Sequence, residues 1–104
     1  MKKLNVILLF FAIALMSCQK NSSNSTYTPD CTGPAKSFVT DVFPIFQNTC
    51  AHCHSNFANY SQIAADQANI RQMVADGLMP QQGTLSDTQK NAILCWIDNG
   101  APDN

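Results

Sequence analysis

The chain has 104 residues, 45% of them apolar and 12% charged, a length that holds one domain and excludes a multidomain enzyme. Six Lys and Arg face seven Asp with no Glu, and a net charge of -1 gives no footing for nucleic-acid binding. Five cysteines are an odd count in so short a chain, so at least one does something other than pair with another.

Met1 to Ser17 reads as a signal peptide: Lys2 and Lys3 supply the charged start, and Val6 to Met16 the apolar middle. The apolar run is too short to span a bilayer, which needs roughly 20 helical residues, and polar Gln19, Lys20 and Asn21 follow at once. The segment Leu15-Met16-Ser17-Cys18 resembles the lipobox of bacterial lipoproteins, with Met16 less usual at its place. That resemblance implies export, cleavage before Cys18 and acylation of the Cys18 thiol. Acyl chains buried at about 0.8 kcal/mol per methylene would then anchor the chain stably. Gln19 is not the Asp that marks inner-membrane retention, so the expected location is the bacterial envelope, on the outer membrane facing the periplasm.

Residues 18–30 follow as a lipidated start and a Ser- and Asn-rich tether, too poor in apolar side chains to fold alone. The folded domain is expected over 31–104. At this size a chain buries only about 60% of its unfolded surface, so a disulfide, metal or cofactor should support it.

Helical spacing recurs along this domain and strand-like alternation does not, which predicts an all-α fold of three to five short helices. Phe38, Val42, Ile45 and Phe46 share one face of a first helix that Pro44 must kink or restart. Tyr60 to Asp76 reads as a second, broken helical region with Ile63, Ile70, Met73 and Val74 inward, stopping at Gly77. Leu78 to Leu85 carries Pro80 and Gly83 and reads as a loop. Ser86 and Gln89 have the spacing of a capping box for a last helix with Ile93, Trp96 and Ile97 inward, ended by Gly100 and Pro102.

Between the first two helices lies Cys50-Ala51-His52-Cys53-His54, the C-x-x-C-H sequence of covalent haem c attachment. Two thiols three residues apart lie on one side of a helical turn and can both add to the vinyl groups of one haem. The adjoining His54 can then present its ring to the iron. Three other readings compete: a zinc site using Cys50, Cys53, His54 and Cys95, a thioredoxin-type dithiol, and a plain Cys50–Cys53 disulfide, whose short loop gains little.

With DVFPIFQNTCAHCHS, DGLMP and LSDTQKNAILCWIDNGAP in this order, the chain resembles the small class I c-type cytochromes, here in a lipoprotein form. The resemblance covers the whole domain. It implies a cytochrome c-like fold around one haem c, thioether bonds at Cys50 and Cys53, and His54 and Met79 as the two axial iron ligands. Met79 sits before Pro80 in a loop, where an extended backbone can aim a thioether inward. Met73, on a helical apolar stripe, is the rival sulfur and is expected to pack in the core. His52 is expected exposed or on the propionate side, Trp96 and Phe46 in the core, and Tyr60 half-buried.

Cys31 and Cys95 are not part of that family's general pattern. In the family the first and last helices cross, which would bring the two thiols together, and export permits a disulfide; a buried Cys95 and a free Cys31 is the alternative. Closing so long a loop is worth about 4 kcal/mol in the chain-entropy model.

The resemblance implies a one-electron carrier rather than a catalyst, exchanging electrons with redox proteins or membrane respiratory complexes. After cleavage, Lys20, Lys36, Arg71 and Lys90 stand against seven Asp, an excess of three negative charges that favours a basic partner face weakly. A haem gas sensor with a displaceable Met79 is the alternative from another class. An enzyme would need a distal acid or base over open iron, and the sequence offers no obvious one.

Overall fold

A computed structural model describes residues 26–104; the expected signal peptide, Cys18 and most of the expected tether lie outside the described residues. Among the described residues there is no strand, and no helix is long and apolar enough to cross a membrane. The domain is all-α.

Helix α1 is composite, with a wide turn over Phe38–Val42, one α-helical turn over Phe43–Ile45 and a second wide stretch over Phe46–Cys50. In the wide turns the bonds run five residues back, from Phe43 N–H to the Phe38 carbonyl and from Ala51 N–H to the Phe46 carbonyl. Pro44 has no N–H to give and its ring crowds the carbonyl four residues earlier, so a regular α ladder cannot run through it. Pro44 therefore stands in the first turn of a restarted α-helical stretch, directly after Phe43, where its missing N–H leaves no bond unmade. Phe38, Val42 and Phe46 still fall on the inner face and are buried. Ser37 starts the helix reciprocally: its Oγ accepts from Thr40 N–H, and its own N–H donates to Asp41 Oδ2 at 2.7 Å.

Helices α2 (Tyr60–Ala65) and α3 (Gln67–Ala75) are the expected broken pair, hinged at Asp66. Asn59 caps α2 by accepting from Gln62 N–H. Helix α3 ends with Leu78 N–H on the Met73 carbonyl at 2.9 Å and Gly77 N–H on that of Val74 at 3.2 Å. This is the Schellman arrangement, with Gly77 in the left-handed region at φ 69°. Helix α4 (Asp87–Asp98) has the full Ser86/Gln89 capping box and closes the same way through Gly100.

The core joins α1 to α4 around Trp96, which is fully buried and donates its indole N–H to the Pro102 carbonyl at 2.9 Å. Phe38 meets Trp96 at 5.4 Å between ring centres, and Tyr60 stands edge-on to Phe38 at 5.2 Å. Arg71 on α3 grips Asp98 on α4 through two hydrogen bonds of 2.6 and 3.0 Å. That pair holds the Asp98 carboxyl below the usual aspartate range, though both side chains are 38% exposed and water screens them.

Cys31 and Cys95 are joined by a disulfide with Cα atoms 5.5 Å apart, fixing the segment before α1 to α4. The folded body begins earlier than the expected boundary at Cys31. Tyr27 N–H donates to the Ala75 carbonyl at 2.8 Å, the Tyr27 hydroxyl bonds Asn91, and Lys90 lies over the Tyr27 ring at 4.8 Å. Residues 26–30 thus form a strap across α3 and α4, because one aromatic ring and a row of hydrogen bonds offset the ordering that their polar composition alone would not.

Candidate haem site

Cys50 is the last residue of α1, and the rest of the C-x-x-C-H motif follows it as a turn. The Cys50 carbonyl accepts from both Cys53 N–H, at 3.2 Å, and His54 N–H, at 2.9 Å, which folds the motif into one tight turn. Cys50 is half-buried, Cys53 is exposed, and neither is bonded to another cysteine. Burial pushes the Cys50 thiol up from its ordinary value, so it stays protonated at neutral pH. A thioredoxin-type dithiol needs the opposite shift.

The His54 imidazole rests against Phe57, with ring centres 5.1 Å apart, and Phe57 in turn stands edge-on to core Phe46 at 5.6 Å. A core aromatic therefore backs the imidazole through one intermediary. Phe57 was not singled out from the sequence, although its place three residues after His54, at the spacing of one helical turn, was a usable signal.

Cys50, Cys53, His54 and Met79 all line one cavity of about 820 Å³. Its floor is apolar, with Phe46 from α1, Ile70 and Val74 from α3, and Ile93 from α4. Its rim is polar and rich in amides, among them Asn48, Asn56, Asn69 and Gln82, with Asp66 the one Asp and no Lys or Arg. The volume falls within the range of about 300–1,000 Å³ usual for cofactor and ligand sites. These residues fit a haem: two free thiols, an imidazole and a thioether converge on an apolar slot whose rim suits carboxylates.

One expectation needs adjustment at this site, and two hold. Met73 does not pack in the core; it is half-buried and lines the same cavity, so α3 presents a second thioether there. His52 is exposed and borders the cavity. Tyr60 is half-buried as expected, and its hydroxyl donates to the Ala101 carbonyl at 2.8 Å, which commits it to the α4 end. The zinc reading loses a ligand because Cys95 is held in the disulfide, and among the described residues no three His, Cys or Asp side chains are gathered to hold a metal ion.

No family model, curated protein or solved structure matches the chain.

Proposed function

We propose that the chain is a membrane-tethered monohaem c-type cytochrome that carries single electrons between redox partners, with a cytochrome c-like fold and Cys18 as its acylated anchor. The observation that carries this reading is the convergence of the Cys50-x-x-Cys53-His54 turn and the Met79 loop on one apolar cavity.

Cys50 and Cys53 would hold the haem by adding their S–H groups across its two vinyl bonds, an addition that loses no atom and needs both thiols reduced. His54, backed by Phe57, and Met79, set on its loop after α3, would hold the haem iron through a nitrogen and a sulfur. When bound, the haem supplies an iron that alternates between ferrous and ferric states, and a Met and His pair favours a higher potential than two His. The chain's remaining task is exclusion. Phe46, Ile70, Val74 and Ile93 keep water from the buried side of the slot, while the amide rim leaves one edge open for electron entry.

The test is an absorption spectrum of the mature protein in both oxidation states together with its intact mass. The expected outcome is a mass increased by one haem, two hydrogens lost to the disulfide, a sulfur-to-iron charge-transfer band in the ferric form, and slow carbon monoxide binding by the ferrous form. Rapid carbon monoxide binding at neutral pH would favour the sensor with a displaceable Met79. A colourless protein would end the haem reading altogether.

A further inference from the structure

The strap changes where the chain enters the folded body. Tyr27 N–H on the Ala75 carbonyl and Thr26 Oγ1 on Asp76 Oδ1, at 3.1 Å, place that entry at the C-terminal end of α3. Leu78 lies two residues beyond Asp76 and is 50% exposed. Among the described residues the other large apolar side chain so exposed is Val39, on the first turn of α1, whose N–H donates to the carbonyl of the last residue, Asn104.

Residues 19–25 alone separate Cys18 from Thr26, and seven residues reach about 25 Å when pulled straight. A folded body of the size of residues 26–104 has a radius of gyration near 12 Å and hence a diameter of about 30 Å. Turning its far end toward the surface that holds Cys18 would require a tether running a quarter of the way round the body and then down by one radius, about 40 Å. Seven residues cannot do this.

We infer that in the lipidated protein the end of α3 and the Leu78–Met79 loop face the bilayer, with Leu78 in the interfacial layer. This rests on the acylation of Cys18 proposed above. Leu78 alone is far too small to bind a membrane; the acyl chains hold the body there, the short tether rules out the far side, and the exposed Leu78 beside the point of entry selects this end among those within reach. Met79, Pro80 and Gln82 line the haem cavity from this same loop. A partner approaching the cavity from the loop side therefore sits in or on the membrane.

The test is hydroxyl-radical footprinting, read by mass spectrometry, of the full lipidated chain on vesicles of phosphatidylcholine and phosphatidylethanolamine, compared with the Cys18→Ser chain free in solution. Modification of Leu78 is expected to fall about threefold or more on vesicles, with Val39 unchanged, because interfacial burial removes one from water and not the other. Equal modification of Leu78 in both samples, or protection of Val39 in its place, overturns the orientation. Inserting about 12 Gly and Ser residues between Ser25 and Thr26 lengthens the full reach to about 65 Å. That variant should stay on vesicles and regain Leu78 modification; protection that persists overturns the tether as its cause. Failure of the full chain to float with vesicles would remove acylation itself, whereas flotation without Leu78 protection removes the orientation alone.

Discussion

At the scale of single residues, the site turns on two methionines that enter one cavity from different backbones. Met73 leaves α3 beside buried Ile70 and Val74, while Met79 leaves a loop with no helical ladder to satisfy. Met79→Ala is expected to lower the reduction potential and let carbon monoxide bind quickly. Met73→Ala should keep the ferric charge-transfer band and cost about 1–2 kcal/mol, less than a fully buried methionine, because the side chain is only half-buried. Loss of the band in Met73→Ala with its retention in Met79→Ala would exchange the two assignments. The placement of Met73 was not legible in the sequence for a physical reason: helical periodicity reports which face turns inward, and a cofactor slot and a packed core lie on the same inward side. That Cys50, Cys53 and His54 fall together was legible because their spacing confines them to one turn.

Among the elements, the end of α3 sets Met79. The Met73 carbonyl accepts from Leu78 N–H at 2.9 Å and from Met79 N–H at 3.2 Å, and both bonds depend on the chain reversing at Gly77 with φ 69°. A Cβ at Gly77 would meet nothing within 4 Å, so substitution is costly only through backbone conformation. Gly77→Val is expected to destabilise by about 1–2 kcal/mol, and Gly77→Asn by less, since Asn tolerates the left-handed region. Carbon monoxide binding to the ferrous protein should quicken in the Val variant and return toward the parent rate in the Asn variant. An unchanged rate in both would show that this turn does not position the ligand. The second helical region could be read as broken but not where, whereas the Ser86/Gln89 box and the stop at Gly77 could be read ahead because each is decided within a few residues. The wide turns flanking Pro44 could not, since a proline announces that the ladder must change but not which register replaces it. The strap was equally hidden: Tyr27 finds its partners at Ala75 and Asn91, on helices far along the chain.

For the molecule as a whole, a small core around Trp96 is supplemented by one long covalent closure. Cys31→Ser opens a loop spanning a sequence separation of 64 and is expected to cost up to about 4 kcal/mol, measured by denaturant unfolding of the haem-loaded protein. Its spectrum should not move, because neither Cys31 nor Cys95 borders the cavity lined by Cys50, Cys53, His54 and Met79. A spectral change would mean that the strap and the α4 face reach the iron ligands through the core. The same bond has a consequence for the exposed stretch Gln81–Thr84, which lies between its two ends. A protease that nicks the backbone there leaves the amino- and carboxy-terminal pieces riveted together, so the damaged molecule migrates as a single species on a gel until a reducing agent is added.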